Sequence, residues 1–282
     1  MIPPAPNSWI ETPITPGPPV LIPGLLKRHG CLLIVGEHEI GKTALSLEVC
    51  HSVITGAPLW GKLYPTQTIP RVTFILGEHN EDNLREQWIL MGYKVPERTI
   101  RVIGPTERKI LVSSGGANMG NRALYTEWCK GSNMIVFDPL NAFITGVKVE
   151  DDNVQMRALI NIMEDIATAN GAALVILHHM GKPHFEPQSG EYKHREKYAA
   201  RGASGIEDAV MACFYFEQQG GAHTGNPDMF TLRRVKYKGQ APGYFHLKRD
   251  GGVPRHTLIK KGLTPVEYMA TRVTDGLISG PH

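Results

Sequence analysis

The chain has 282 residues, 41% of them hydrophobic and 20% charged, with a formal net charge of +3. That suits one domain with a full core, and the near-neutral balance excludes a protein that coats polyanions over its whole surface. Single, scattered cysteines (Cys31, Cys50, Cys129, Cys213) lack the spacing of a zinc knuckle or the density of a disulfide scaffold. With no apolar run near the roughly 20 residues of a bilayer span and no signal-like start, a reduced, cytoplasmic protein without membrane contact is expected.

Residues 1–30 hold eight prolines, each fixing φ and removing a backbone donor. They predict an extended arm that packs, through Trp9, Ile10, Leu21, Ile22, Leu25 and Leu26, on its own domain or on a neighbouring subunit. From Cys31 to residue 261 short apolar runs alternate with amphipathic stretches. Strands are expected at 32–35, 72–76, 100–103, 134–137 and 172–177, and helices at 42–55, 81–91, 120–130 and 154–170. Buried continuous strands separated by helices describe an α/β domain with a mainly parallel sheet. Three further runs, 210–217, 229–236 and 244–248, are joined by Gly-rich turns and predict antiparallel additions at one edge. Residues 262–282 predict a short helix and a fraying tail.

The segment Gly36-Glu37-His38-Glu39-Ile40-Gly41-Lys42-Thr43 fits G-x-x-x-x-G-K-[ST] and lies between an apolar strand and a helical pattern. In that context backbone N–H groups of the loop and of Ala44 wrap phosphates at a helix N-terminus. Lys42 reaches the β and γ phosphates, and the Thr43 hydroxyl faces Mg²⁺. The side chains of Glu37, His38 and Glu39 are expected to turn outward. The run Met134-Ile135-Val136-Phe137 ends in Asp138, a second carboxylate for the metal. Pro139 follows it, where AAA+ proteins and many helicases carry the catalytic Glu, so the base must lie elsewhere; Glu78, at the end of the 72–76 strand, is the candidate. His178-His179 ends the 172–177 strand. Neighbouring strand residues point to opposite faces, which favours a γ-phosphate sensor over a metal pair.

These residues, with Arg201-Gly202-Ala203-Ser204 and Asp250-Gly251-Gly252-Val253, resemble the plasmid RepA-type hexameric replicative helicases. They are also similar to the wider group of RecA-like ATPases of phages and mobile elements related to DnaB-like motors. The resemblance runs over about residues 21–253. It implies a RecA-like P-loop NTPase fold with an antiparallel C-terminal strand extension. It also implies a ring of six subunits with ATP and Mg²⁺ between them, and action on single-stranded DNA with replication or recombination proteins as partners. Lys42, Glu78, His178 and His179 are the implied catalytic residues, with Thr43 and Asp138 at the metal. Met211 stands where that family has its trans-acting arginine, which leaves Lys236, Lys238 and Arg201 as candidates for the role.

The polar segment 181–201 is too long for an ordinary connection. It carries Lys182, Lys193, Arg195, Lys197 and Arg201 against Glu186, Glu191 and Glu196, with Tyr192 and Tyr198 interleaved. A basic segment with aromatic side chains that stack bases predicts single-stranded DNA binding. Three functions fit the sequence: a DNA-dependent helicase motor, a RecA-like recombination or repair ATPase, and an ATP-gated regulator that recruits a protein partner with little DNA contact.

Overall fold

The computed structural model describes residues 20–94, 99–146, 153–180, 184–186, 191–193, 204–218, 228–237 and 243–261. Its frame is one nine-stranded sheet: β1 (Cys31–Gly36), β2 (Val72–Leu76), β3 (Ile100–Ile103), β4 (Met134–Asp138), β5 (Ala173–His179), β6 (Ala212–Gln218), β7 (Met229–Tyr237), β8 (Gly243–Asp250) and β9 (Val253–Lys261). The spatial order is β9-β8-β7-β6-β1-β5-β4-β2-β3. Strands β6, β1, β5, β4, β2 and β3 run parallel, whereas β7, β8 and β9 add antiparallel pairs beyond β6.

Helices cover both faces, which is why the central strands are continuously apolar rather than alternating. One core lies beneath α1 (Lys42–Thr55) and α2 (Glu81–Leu90), and gathers Leu32, Ile34, Val175, Leu177 and Phe214. The other lies beneath α3 (Met119–Trp128) and α4 (Asn153–Ala169), and gathers Leu33, Val35, Leu174, Ile176 and Tyr215. Asn80 caps α2 by accepting from the Asn83 N–H at 2.9 Å, with Glu81 and Asp82 in the first turn. Asn118 caps α3 the same way at 3.0 Å.

Three expectations change. The strand at 212–218 is not an antiparallel edge addition: α5 (Ser204–Ala209) lies between β5 and β6, and β6 pairs parallel with β1. A helical crossover delivers the next strand parallel, where a tight turn would deliver it antiparallel. Beyond the expected strands, β9 forms the third and outermost member of the extension and packs over α1. The last part of the proline-rich arm folds back on itself, Val20–Ile22 pairing antiparallel with Leu26–Lys27. Leu21, Ile22, Leu25 and Leu26 are buried in the domain's own core, whereas Trp9, Ile10 and the 262–282 tail lie outside the described residues. Among the described residues no helix is long and apolar enough to cross a membrane.

Candidate active site

The parallel strands all end at one edge of the sheet, where open α/β folds place their ligands. Register makes that edge level: His179 lies opposite Gly36, and Asp138 opposite Leu76. The loop between β1 and α1, the Glu78 that follows β2, the last residue of β4 and the last of β5 therefore meet in one cleft. Among its lining residues are His38, Gly41, Lys42, Thr43, Glu78, Asp138 and His179.

Gly41 starts α1 with φ +105°, a backbone conformation that side-chain-bearing residues rarely adopt. Lys42 then opens the helix, its ammonium donating to the Gly36 carbonyl at 3.0 Å and the Glu37 carbonyl at 2.5 Å. Burial lowers its pKa to about 8, against the pull of Asp138, Glu78 and Glu37. The Thr43 hydroxyl donates to Asp138 Oδ2 at 2.7 Å. Asp138 is almost fully buried, which raises its pKa despite that hydrogen bond and the nearby Lys42 and His79. A buried carboxylate beside a hydroxyl is an all-oxygen set, the type a hard cation such as Mg²⁺ takes, so the residues fit that ion.

Glu78 follows Gly77, whose place is fixed on two sides. The Gly77 N–H donates to the Asp138 carbonyl at 2.7 Å, and its carbonyl accepts from Arg108 Nη1 at 2.7 Å. A Cβ at Gly77 would lie 2.1 Å from the Ala142 Cβ, so only glycine permits this approach. His179 bridges the two functional charges: its Nδ1 is 3.4 Å from the Lys42 ammonium and its Nε2 is 3.7 Å from Glu78 Oε2. Since Lys has only protons to offer, the Nδ1 contact makes that nitrogen the acceptor and leaves the proton on Nε2, toward Glu78. Burial and Lys42 both lower the His179 pKa, favouring this neutral ring.

Of the loop side chains expected to turn outward, Glu39 is 87% exposed at the rim of the cleft, its carboxylate 3.6 Å from His38 Nδ1. His38 does not turn away from the cleft: its ring stacks on His179 with centroids 5.1 Å apart. His38, Glu78 and His179 bring one ligand atom each within 4.8 Å of one another. The Lys42 ammonium against His179 opposes a second cation there, so the group is better described as a polar relay than as a metal centre.

Other expected residues fall elsewhere. His178 is buried on the opposite face of the sheet and is not part of the cleft, as the alternation along β5 requires. Ala44 is buried in the first turn of α1. Lys236 is engaged within its own chain: its ammonium donates to the carbonyls of Glu207 and Asp208 at 2.9 and 2.8 Å, at the end of α5. Tyr192 and Lys193 belong to a short hairpin in which residues 184–186 pair antiparallel with 191–193, Phe185 opposite Tyr192. Lys182, Arg195, Lys197, Tyr198, Arg201 and Lys238 lie outside the described residues.

Two arginines that sequence reading missed stand at the site. Arg108 holds the Gly77 carbonyl, and Arg249, from β8, donates to the Ile40 carbonyl of the loop at 3.0 Å. Only the Asp250-Gly251-Gly252 turn beside Arg249 offered a signal, and nothing local joins it to a loop more than two hundred residues earlier.

The fold and cleft define a nucleotide-binding α/β domain, and the chain belongs to the AAA domain family, whose sequence profile matches residues 2–184. Among solved structures it is similar in fold to a DnaB-like replicative helicase described with its interactions with primase. There the TM-score is 0.59 and the identity 10%, over 82% of this chain and 59% of that one. The chain thus spans little more than half the length of that helicase. A second solved structure, described as an ATPase domain, aligns with TM-score 0.59 and 10% identity over 83% of this chain and 86% of that one. A KaiC-like protein from Pyrococcus horikoshii aligns with TM-score 0.51 and 12% identity over 85% and 94%. At these identities the likeness establishes the RecA-like fold. No curated protein matches the sequence.

Proposed function

We propose that the chain is an ATP-hydrolysing, DNA-dependent motor of the RepA helicase type, working in the cytoplasm as a ring on single-stranded DNA. The observation that carries this reading is the convergence of Lys42, the Thr43–Asp138 pair, Glu78 and His179 at the level ends of adjacent parallel strands. Lys42 and the backbone N–H groups of Gly41, Thr43 and Ala44 bind the β and γ phosphates. Thr43 and Asp138 would hold Mg²⁺, which would supply charge neutralisation for the phosphates. Glu78 takes a proton from the water that attacks the γ-phosphorus as the bond to ADP breaks.

His179 links γ-phosphate to β5 and to the segment that follows it. That segment carries the proposed DNA contacts Lys182, Tyr192, Lys193, Arg195, Lys197 and Tyr198. Lys238 and Arg201 are the favoured trans-acting groups, because the Lys236 ammonium is bonded within its own chain. That same bonding gives some support to a second reading, an ATP-gated regulator that recruits a replication or recombination protein with little DNA contact.

Steady-state ATPase measured with and without single-stranded DNA, across protein concentrations that span assembly, separates the two. The motor reading expects stimulation that falls steeply with salt and weakens when Lys193, Arg195 and Lys197 become Ala. An ATPase indifferent to DNA overturns it in favour of the regulator.

A further inference from the structure

Among the described residues, the antiparallel extension reaches the phosphate loop through Arg249. Arg249 near the end of β8 donates from Nη2 to the Ile40 carbonyl at 3.0 Å. The same nitrogen lies 3.3 Å from where a Cβ of Gly41 would stand, so a side chain at Gly41 would crowd the guanidinium. Three features hold the arginine in place. Its N–H donates to the Asp228 carbonyl at 2.7 Å. Its guanidinium carbon sits 4.4 Å from the centre of the Phe230 ring. Phe230 is itself buried and stacked on Phe216 at 5.2 Å.

A peptide group is planar and trans, so a carbonyl and the N–H of the next residue point in opposite directions. Fixing the Ile40 carbonyl toward Arg249 therefore aims the Gly41 N–H the other way, and Gly41 lines the cleft with Lys42 and Thr43. Without a donor at Arg249 the Ile40–Gly41 peptide is free to rotate, since glycine imposes little steric constraint on it. A rotated peptide would present a carbonyl oxygen to the phosphates in place of a donor.

We infer that Arg249 is a positioning residue that sets the Ile40–Gly41 peptide for anion binding, so that the C-terminal strands pre-form the phosphate cradle from within the same subunit. This rests on the ATP-binding reading and deepens it: the ligand part sensed through Arg249 is the polyphosphate, not the nucleoside.

The test measures affinities of the full chain for MgATP and for tripolyphosphate, which lacks base and sugar, in wild type, Arg249→Ala and Arg249→Lys. The expected result is a loss of about tenfold for Arg249→Ala with both ligands alike. Arg249→Lys should lose less, because an ammonium still donates to the carbonyl but cannot stack as a planar fork. Millimolar guanidinium should restore part of the Arg249→Ala affinity, a rescue that a purely structural role would not give. Loss confined to MgATP would overturn the inference by making Arg249 a nucleoside contact. Unchanged affinity for both ligands in a folded Arg249→Ala protein would overturn it while leaving the ATPase reading intact. Failure of the wild type to bind either ligand would overturn both.

Discussion

The two halves of the sheet divide the work. The parallel half, β1 to β6, presents side chains at strand ends: Lys42 and Thr43 beyond β1, Glu78 beyond β2, Asp138 on β4 and His179 on β5. The antiparallel half places no acid or base in the cleft among the described residues. It touches the nucleotide loop and α1 instead, through Arg249 on the Ile40 carbonyl and His256 on Glu48. Glu48 lies in the middle of α1, nearly fully buried, and accepts from the His256 N–H at 2.6 Å, from His256 Nδ1 at 2.7 Å and from Trp60 Nε1 at 3.3 Å. On the proposed function, one half thus carries the chemistry and the other braces the loop and helix on which that chemistry would depend. This also explains why α1 is buried on nearly every side rather than amphipathic: β9 covers the face that would otherwise meet solvent.

The division can be broken from either side. The largest effect is expected for Lys42→Ala, which removes the one ammonium in the cleft among the described residues. ATP turnover should fall on the order of a thousandfold, with the urea midpoint of unfolding little changed, a pairing that steady-state kinetics and denaturation together would check. Glu48→Ala should do the reverse. Its removal strands the His256 and Trp60 donors in the core and should cost about 3–5 kcal/mol of stability. Glu48→Gln keeps an acceptor and should cost less. If Glu48→Ala unfolds at the wild-type urea midpoint, the bracing role of the antiparallel half is wrong. The smallest effect is expected for His179→Ala, about tenfold on turnover. On the motor reading its sharper signature is a loss of DNA stimulation with ATP affinity kept, because the proposed relay from γ-phosphate to the 181–201 segment would be cut.

Much of the parallel half was legible because its signals are local. A strand, a glycine-rich turn and a helix follow one another within 25 residues from Cys31 to Thr55, and apolar runs that stop at Glu78, Asp138 and His179 mark strand ends without any knowledge of pairing. In the antiparallel half β7 and β8 were legible as strands, but β9 and the bracing role were not. The β9 run Val253-Pro254-Arg255-His256-Thr257-Leu258-Ile259-Lys260-Lys261 mixes proline with polar residues and carries no alternating signal that marks it as a strand, although Leu258 and His256 are buried. The Arg249 contact goes to a backbone carbonyl, which no residue type in the loop advertises. The parallel direction of β6 was hidden because α5 is short and lies beside residues of little periodic character. His38 is 70% exposed, and its stacking on His179 was hidden because that neighbour comes from β5, far along the chain, and not from the loop itself.

The claim at the centre is that Glu78 is the base of an ATP-hydrolysing site that Lys42, Thr43 and Asp138 otherwise complete. Single-turnover hydrolysis of MgATP by Glu78→Gln, with its dissociation constant measured in parallel, tests it most directly. The substitution keeps size and polarity but cannot take a proton, so affinity should stay within about threefold of wild type while hydrolysis slows about 10²–10⁴-fold. Hydrolysis at the wild-type rate with ATP bound would contradict the assignment and move the base to another residue of the cleft.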